Sequence, residues 1–150
     1  MLASSVNDNG RGVRSSDNAT LVMFSSLISS NTNNGVESAR SSSVYIDGTE
    51  ISGNGGASTS ASTAGSVELN AIEMHLNQMQ GVEVLNGGVV QVDDSTISNT
   101  NGATTFRAAG SGQIIIDNTD PGLEAGVTYS PAYGTMDMLN NGTAIIGKFS

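Results

Sequence analysis

The sequence predicts an all-β fold, a right-handed parallel β-helix (a β-solenoid) in which the chain winds through stacked coils. Three observations predict it. Apolar residues return every 23 residues, and within each coil they are spaced by two, the period of a β-strand. The chain also has 19 glycines among its 150 residues, which suits a fold with many tight corners.

The repeat needs no gaps over four coils. Its segments are LVMFSSLISSN from Leu21, VYIDGTEISGN from Val44, VELNAIEMHLN from Val67 and VQVDDSTISNT from Val90. Three apolar columns result: Leu21, Val44, Val67 and Val90; Met23, Ile46, Leu69 and Val92; and Ile28, Ile51, Met74 and Ile97. The residues between the columns are mostly polar, so we expect one buried face and one wet face on each strand.

Further columns complete each coil. Gly12-Val13, Gly35-Val36 and Gly81-Val82 recur in phase, and Ser58-Thr59 and Thr104-Thr105 are assigned to the same slots. Small residues precede the main strand at Ala19, Ser42, Gly65, Gly88 and Ser111, where a sharp bend leaves little room for a side chain. Ser26, Thr49, Ile72 and Ser95 lie two residues before the third apolar column. In the coil from Gly81, strands are expected near residues 82–84, 89–92 and 95–98.

Asparagine also forms a column, at Asn31, Asn54 and Asn77. Asn tolerates the left-handed conformation of a tight turn, and stacked Asn side chains can hydrogen-bond from coil to coil. We interpret this column as a structural device and not as a binding site.

Two other folds fit less well. A helical-hairpin repeat would need apolar spacings of three and four, and Gly and Ser interrupt every candidate helix. A disordered chain would not keep Val, Ile and Leu in phase over four repeats.

The ends of the repeat are irregular. The coils are expected over about residues 12–120, in a single domain spanning 1–150. The last coil slips by one residue, since Ile114 and Ile116 follow Val90 and Val92 at a spacing of 24. Pro121 is expected to end the repeat, and residues 121–150 are expected to form an irregular cap. Because Gly12-Val13 is already in phase, we expect the N-terminal end to meet adjoining solenoid coils or a second copy, as in a fragment or an assembling subunit.

Charge and composition argue against several functions. The net charge is -9 with only five Lys and Arg residues, too few to bind a nucleic-acid backbone. There is no apolar run long enough to span a bilayer and no cysteine, so membrane insertion and disulfides are not expected. No cofactor motif is present.

The segments VYIDGTEISGNGG and VQVDDSTISNTNG resemble the parallel β-helix repeat of the pectin-lyase-like superfamily, over roughly residues 12–120. That superfamily includes pectin-degrading enzymes, phage tailspikes and autotransporter passenger domains. The resemblance implies the fold and says little about function, because the repeat residues are structural. The hydrolases of the superfamily use paired aspartates. Asp93-Asp94 is such a pair, but the companion motifs with Gly-His-Gly and Arg-Ile-Lys are missing.

Candidate chemistry is sparse. Glu50 and Glu73 occupy one slot in adjacent coils, where they are either two solvated glutamates or ligands of a shared calcium ion. Asp47, Asn70, Asp93 and Asp117 form another polar column, expected at a turn, in which Asp93 is a separate candidate calcium ligand. His75 is the only histidine and is expected to be a surface or packing residue. The arginines Arg11, Arg14, Arg40 and Arg107 have no carboxylate cluster beside them in the sequence.

For binding, Phe106 and Arg107 are the exposed contacts that the sequence suggests. The outward slot at Val22, Tyr45, Glu68 and Gln91 is too irregular for an ice-binding face.

We therefore expect a non-catalytic structural or adhesive module, extracellular or at a cell surface, able to stack end to end. The alternative is a glycan-binding or polysaccharide-degrading β-helix. A lateral groove lined by aromatic and carboxylate side chains would favour that alternative.

Overall fold

The fold is a parallel β-solenoid in a computed structural model that describes residues 3–97, 104–117, 135–139 and 143–146. Within these ranges there are strands and turns and no helix. The strands are β1 (Ser5–Asn7), β2 (Val13–Ser16), β3 (Thr20–Phe24), β4 (Leu27–Ser29), β5 (Val36–Ala39), β6 (Ser43–Asp47), β7 (Glu50–Ser52), β8 (Thr59–Ser62), β9 (Ser66–Asn70), β10 (Glu73–His75), β11 (Val82–Leu85), β12 (Val89–Asp93), β13 (Thr96–Ile97), β14 (Thr104–Ala109), β15 (Gln113–Asp117), β16 (Thr135–Leu139) and β17 (Thr143–Ile146).

From β1 to β15, every third strand joins the same sheet, and β16 and β17 then extend the second and third sheets. The first sheet has the order β1-β4-β7-β10-β13, the second β2-β5-β8-β11-β14-β16 and the third β3-β6-β9-β12-β15-β17. All pairings are parallel. A chain that visits three sheets in rotation and pairs each strand with the one a turn earlier is a solenoid, so the predicted fold class is confirmed.

The register follows the repeat. Val44 pairs with Leu21 on one side and with Val67 on the other, and Val67 pairs with Val90. Ile51 likewise lies between Ile28 and Met74. The strands of the fourth coil, β11, β12 and β13, cover the expected segments to within one residue, except that residue 98 lies outside the described ranges.

The inward-facing residues form one continuous core along the axis. It contains Val13, Met23, Ile28, Val36, Val44, Ile46, Ile51, Ala61, Val67, Leu69, Ile72, Met74, Val82, Val84, Val90, Val92, Phe106, Ala108 and Ile114. Alternate residues on the strands point outward, as in β6, where Tyr45 lies between the buried residues Val44 and Ile46. The buried and exposed faces therefore fall where the period of two predicts.

The corners are made by residues with positive φ. Between the second and third sheets, each coil has two of them in succession, for example Arg40 and Ser41 (φ 55° and 61°) or Thr63 and Ala64 (51° and 61°). Between the third and first sheets a single residue has positive φ: Ser25, Gly48, Ala71 or Asp94. A third such position, just after the first sheet, is Ser30, Gly53 or Leu76. The left-handed residue precedes each column Asn, so the Asn residues themselves do not make the turn.

The one-residue slip lies earlier than the sequence suggested. Val82 pairs with Phe106, not with Thr105, and Leu85 pairs with Ala109. The 24-residue spacing is therefore already present at β14, which makes the assignment of Thr104-Thr105 to the Gly81-Val82 slot wrong. The small residue before β15 is likewise Gly112, whose N–H bonds to the Ala109 carbonyl as that of Gly88 bonds to Leu85, and not Ser111.

Part of the segment expected to be an irregular cap continues the sheets. In β16, Met136 pairs with Phe106, and in β17, Ala144 pairs with Ile114, each 30 residues further along the chain. Two strands that follow Pro121 in the chain therefore belong to the second and third sheets. The other residues of 118–150 lie outside the described ranges.

Candidate functional site

Two polar columns stand inside the solenoid. Asn54 is fully buried. Its Nδ2 donates to Oδ1 of Asn77 (2.9 Å) and to the carbonyl of Ile28 (3.2 Å). Its Oδ1 accepts bonds from both the backbone N and the Nδ2 of Asn31 (3.1 and 2.9 Å). The column therefore hydrogen-bonds from coil to coil, which makes it a structural element of the interior.

The second polar column consists mainly of hydroxyl side chains and lies at the corner between the third and first sheets. The backbone N of Ser26 donates to Oγ1 of Thr49 (3.2 Å), and the backbone N of Ile72 donates to Oγ of Ser95 (3.1 Å). Thr49 and Ser95 are buried, so each hydroxyl satisfies an amide that would otherwise be unpaired.

Glu50 and Glu73 are paired in register in β7 and β10. The imidazole of His75 lies next to both, with Nε2 at 3.2 Å from Glu50 Oε1 and 3.9 Å from Glu73 Oε1. Ser52 Oγ also donates to Glu50 Oε1 (2.7 Å). One carboxylate oxygen of Glu50, Oε1, is thus already engaged by two side chains.

Asp93, the third residue considered for calcium, belongs to a different sheet. It ends β12 and pairs with Asn70 and Asp117, while Asn70 Nδ2 donates to Asp47 Oδ1 (2.9 Å). Asp94 is the left-handed corner residue that follows (φ 44°). The structure does not bring Asp93 together with Glu50 and Glu73 in one sheet, and over the described ranges no three His, Asp or Glu side chains converge in a way that could hold a metal ion.

Phe106 is not an exposed contact. It is 1% exposed and belongs to the core, because the earlier slip places it in the inward slot of Val82. Arg107 does point outward, and its Nη1 lies 2.6 Å from Oε1 of Glu83 in the preceding coil. Of the two predicted contacts, only Arg107 is at the surface, and it is engaged in an ion pair.

The other described arginines also pair with carboxylates. Arg14 and Arg11 lie 3.5 and 3.7 Å from Glu37. Arg40 lies 3.2 Å from Asp17 one coil earlier. Hydrogen bonds from the side chains of Ser16 and then Arg40 hold the pKa of the exposed Asp17 carboxyl below its ordinary value of 3.8. These contacts could not be found by looking for neighbours in the sequence, since most of the partners are about a coil apart.

The outer face of the third sheet carries a groove that the sequence did not single out. We call it the Tyr45 groove; its lining is Thr20, Ser43, Val44, Tyr45, Ser66, Val67, Glu68, Val89 and Gln91. It crosses four strands, β3, β6, β9 and β12, and so runs along the solenoid axis. Phe24 packs against Tyr45 with ring centroids 5.9 Å apart and a tilt of 59°. The sequence shows the outward slot that contains Tyr45, Glu68 and Gln91. Because its residue types are irregular, the sequence gave no sign that the slot borders a groove.

These features define a parallel β-solenoid repeat protein with polar columns inside and ion pairs outside. No protein-family model matches the chain, and no curated protein matches it. Over the described residues, no helix is long and apolar enough to cross a membrane.

Proposed function

We propose that the chain is a non-catalytic structural module, a stiff length of β-solenoid that acts as a stalk or spacer at a cell or particle surface. The observation that carries the proposal is that the hydrogen bonds and ion pairs between coils run along the solenoid axis. Backbone pairing, the Asn column and the Arg–carboxylate pairs between coils all link each coil to the next. An object whose bonds run along one axis resists bending and stretching along that axis.

The interior column adds rigidity of a specific kind. A fully hydrogen-bonded buried amide holds its neighbours in one register, because any slip would leave donors and acceptors unpaired. Asn54, bonded to the coils on both sides, supports this role.

We further propose that the module extends end-on, either into adjoining solenoid coils or onto a second copy. β1, β2 and β3 are the terminal strands of their sheets in the described part of the chain, and a parallel strand added beside them would continue the columns. Kinship with the pectin-lyase-like superfamily, with an extracellular location, is part of the same proposal and is supported by the coil pattern alone.

Stiffness can be tested directly because the chain has no cysteine, so two introduced cysteines can be labelled without background. Thr20 and Gln113 are exposed and lie in one column, linked through Ser43, Ser66 and Val89. Four coil steps put their Cα atoms about 19 Å apart. Thr20→Cys with Gln113→Cys, spin-labelled and measured by pulsed electron resonance, should give one narrow distance distribution.

The same pair in denaturing urea provides the control for a flexible chain. A native distribution as broad as the denatured one would overturn the stiff-spacer proposal. End-on extension is tested separately by multi-angle light scattering over a concentration series, where growth into rod-like multimers is expected. A mass that stays monomeric up to millimolar concentration would overturn that part alone.

A further inference from the structure

Tyr45 and Glu68 form an aromatic–carboxylate pair in the Tyr45 groove. They are paired in register on β6 and β9, so their Cα atoms lie about 4.8 Å apart. Phe24, on the preceding coil, packs against the Tyr45 ring, whereas Glu68 is on the following coil. The ring is therefore supported by an aromatic neighbour on one side and has a carboxylate next to it on the other.

The Glu68 side chain is exposed, and within the described ranges no arginine pairs with it. The arginines there contact other carboxylates, those of Glu37, Asp17 and Glu83. The six strands of the third sheet contain no Lys or Arg, and two of them end in Asp47 and Asp93. This face therefore attracts a cation that the described part of the chain does not itself supply.

An aromatic ring beside a carboxylate selects one kind of cation. A guanidinium group is planar, so it can stack on the Tyr45 ring while its N–H groups donate to the two oxygens of Glu68. An ammonium group is a compact point charge that lacks this flat face and fork of donors. The pair therefore favours arginine over lysine.

The remaining lining suits the backbone of an extended peptide. Thr20, Ser43 and Ser66 line the groove with hydroxyl groups, and Ser66 Oγ donates to Ser43 Oγ at 3.2 Å. Hydroxyls both donate and accept, as the N–H and C=O groups of a peptide require. The groove crosses four strands and is about 14 Å long, which about four residues of an extended chain would span.

We propose that the Tyr45 groove docks an extended, arginine-bearing peptide segment of a partner protein. The guanidinium of one arginine stacks on Tyr45 and pairs with Glu68, and the peptide backbone bonds to the hydroxyls of Ser43 and Ser66. The net charge of -9 favours the approach of such a basic segment. The site is independent of the structural role, since a stiff stalk could carry it or lack it.

An NMR titration of the isotope-labelled full chain tests the site with a capped pentapeptide of alternating serine and arginine. In two comparison peptides the arginines are replaced by citrulline, which keeps the shape and loses the charge, or by lysine, which keeps the charge and loses the planar fork. The arginine peptide should saturate with a Kd of about 1 mM or tighter and shift the amide signals of β6 and β9. The lysine peptide should bind at least about twofold more weakly, and the citrulline peptide at least about fivefold more weakly.

A matched pair of variants separates this site from general attraction to an acidic chain. Glu68→Gln and Glu73→Gln remove the same charge from two exposed glutamates on different sheets. Glu68→Gln should weaken binding of the arginine peptide at least about threefold, whereas Glu73→Gln should leave it within about 1.5-fold. Tyr45→Leu, which keeps apolar bulk and loses the ring, should also weaken it at least about threefold. Circular dichroism checks that each variant keeps its β structure.

The proposal fails if the arginine peptide does not bind at millimolar concentration, or if the citrulline or lysine peptide binds as tightly. It also fails if Glu68→Gln and Glu73→Gln weaken binding equally, because net charge alone would then account for it. A folded Tyr45→Leu variant that binds as well as the parent chain would overturn it too. If Tyr45→Leu does not fold, the comparison of the two exposed glutamates still decides the question.

Discussion

Asn54 Nδ2 donates a 2.9 Å hydrogen bond to Oδ1 of Asn77 in the next coil, and Asn31 Nδ2 makes the same bond to Asn54. The two bonds run in the same sense along the axis. Each amide also donates to a backbone carbonyl of the coil before it, Val6 for Asn31 and Ile28 for Asn54. The column therefore satisfies polar groups on three successive coils in the interior.

Replacing the central member should be costly. Asn54→Leu keeps the side-chain size but leaves the Asn31 amide, the Ile28 carbonyl and Asn77 Oδ1 short of a partner. We expect the free energy of unfolding to fall by about 2–4 kcal/mol, measured by urea denaturation followed by circular dichroism. Asn33→Ala is the control, because Asn33 is exposed and its side chain makes one bond, to the Gly10 carbonyl (2.7 Å). If the two variants lose similar stability, the interior column is not what locks the coils.

Corner residues with positive φ should respond to glycine. Ala71 (φ 50°) occupies the corner slot that Gly48 (φ 57°) fills one coil earlier. Left-handed backbone costs a residue with a Cβ about 1–2 kcal/mol, offset by about 0.5–1 kcal/mol of extra chain entropy that glycine loses on folding. Ala71→Gly should therefore stabilise the fold by about 0.5–1 kcal/mol, seen as a higher urea midpoint.

The reverse change at Gly48 checks the same reasoning. A Cβ there would come no closer than 3.7 Å to Ser25, so space is not limiting and only the backbone conformation opposes it. Gly48→Ala should be destabilising by about as much as Ala71→Gly is stabilising. Equal midpoints for both variants and the parent chain would show that the corners carry no strain.

The position of the slip can be tested at Phe106. Because Phe106 is a buried core residue, Phe106→Ala should lower the free energy of unfolding by about 3–5 kcal/mol. Val22, which is 39% exposed, is the comparison, and Val22→Ala should change stability by less than about 0.5 kcal/mol. A near-neutral Phe106→Ala variant would mean that Phe106 lies at the surface, as the sequence had suggested, and that the slip begins after β14.

Asp17 should titrate below the ordinary range. Its carboxylate accepts hydrogen bonds from Ser16 Oγ (2.8 Å) and Arg40 Nη1 (3.2 Å), which lower its pKa below 3.8. A carboxyl with a lowered pKa in the folded state contributes stability above its unfolded pKa, and that contribution is lost as the pH falls through the lowered value. Carboxyl-detected NMR titration should show the pKa rising towards 3.8 in Ser16→Ala and in Arg40→Gln. Arg107→Gln, distant in sequence and in another ion pair, should leave it in place.

The periodic part of the fold could be predicted because its cause is local. Val44, Val67 and Val90 recur at one spacing since each must fill the same inward slot, and a spacing can be read without knowing any contact. The Asn column was predicted for the same reason. The expectation that Asn itself takes the left-handed turn conformation was wrong, because the preceding residues Ser30, Gly53 and Leu76 take it.

The remainder depends on three-dimensional register. In the ATTFRAA stretch, either Thr105 or Phe106 can face inward while keeping an alternating pattern, so the sequence cannot place a one-residue insertion. Ion pairs such as Arg107 with Glu83 join residues 24 apart and appear only once that register is known. The Tyr45 groove is formed by outward side chains on four neighbouring strands. A single slot in the sequence does not show how the side chains of four strands are arranged.

The shared register has a consequence for how this chain can change in length. Removing a few residues from the middle would rotate every later side chain out of its slot, whereas removing 23 would rejoin each column to itself, as Ser43 followed by Val67 illustrates. Insertions and deletions in such a molecule are therefore expected to accumulate as whole turns, and its length is better counted in turns than in amino acids.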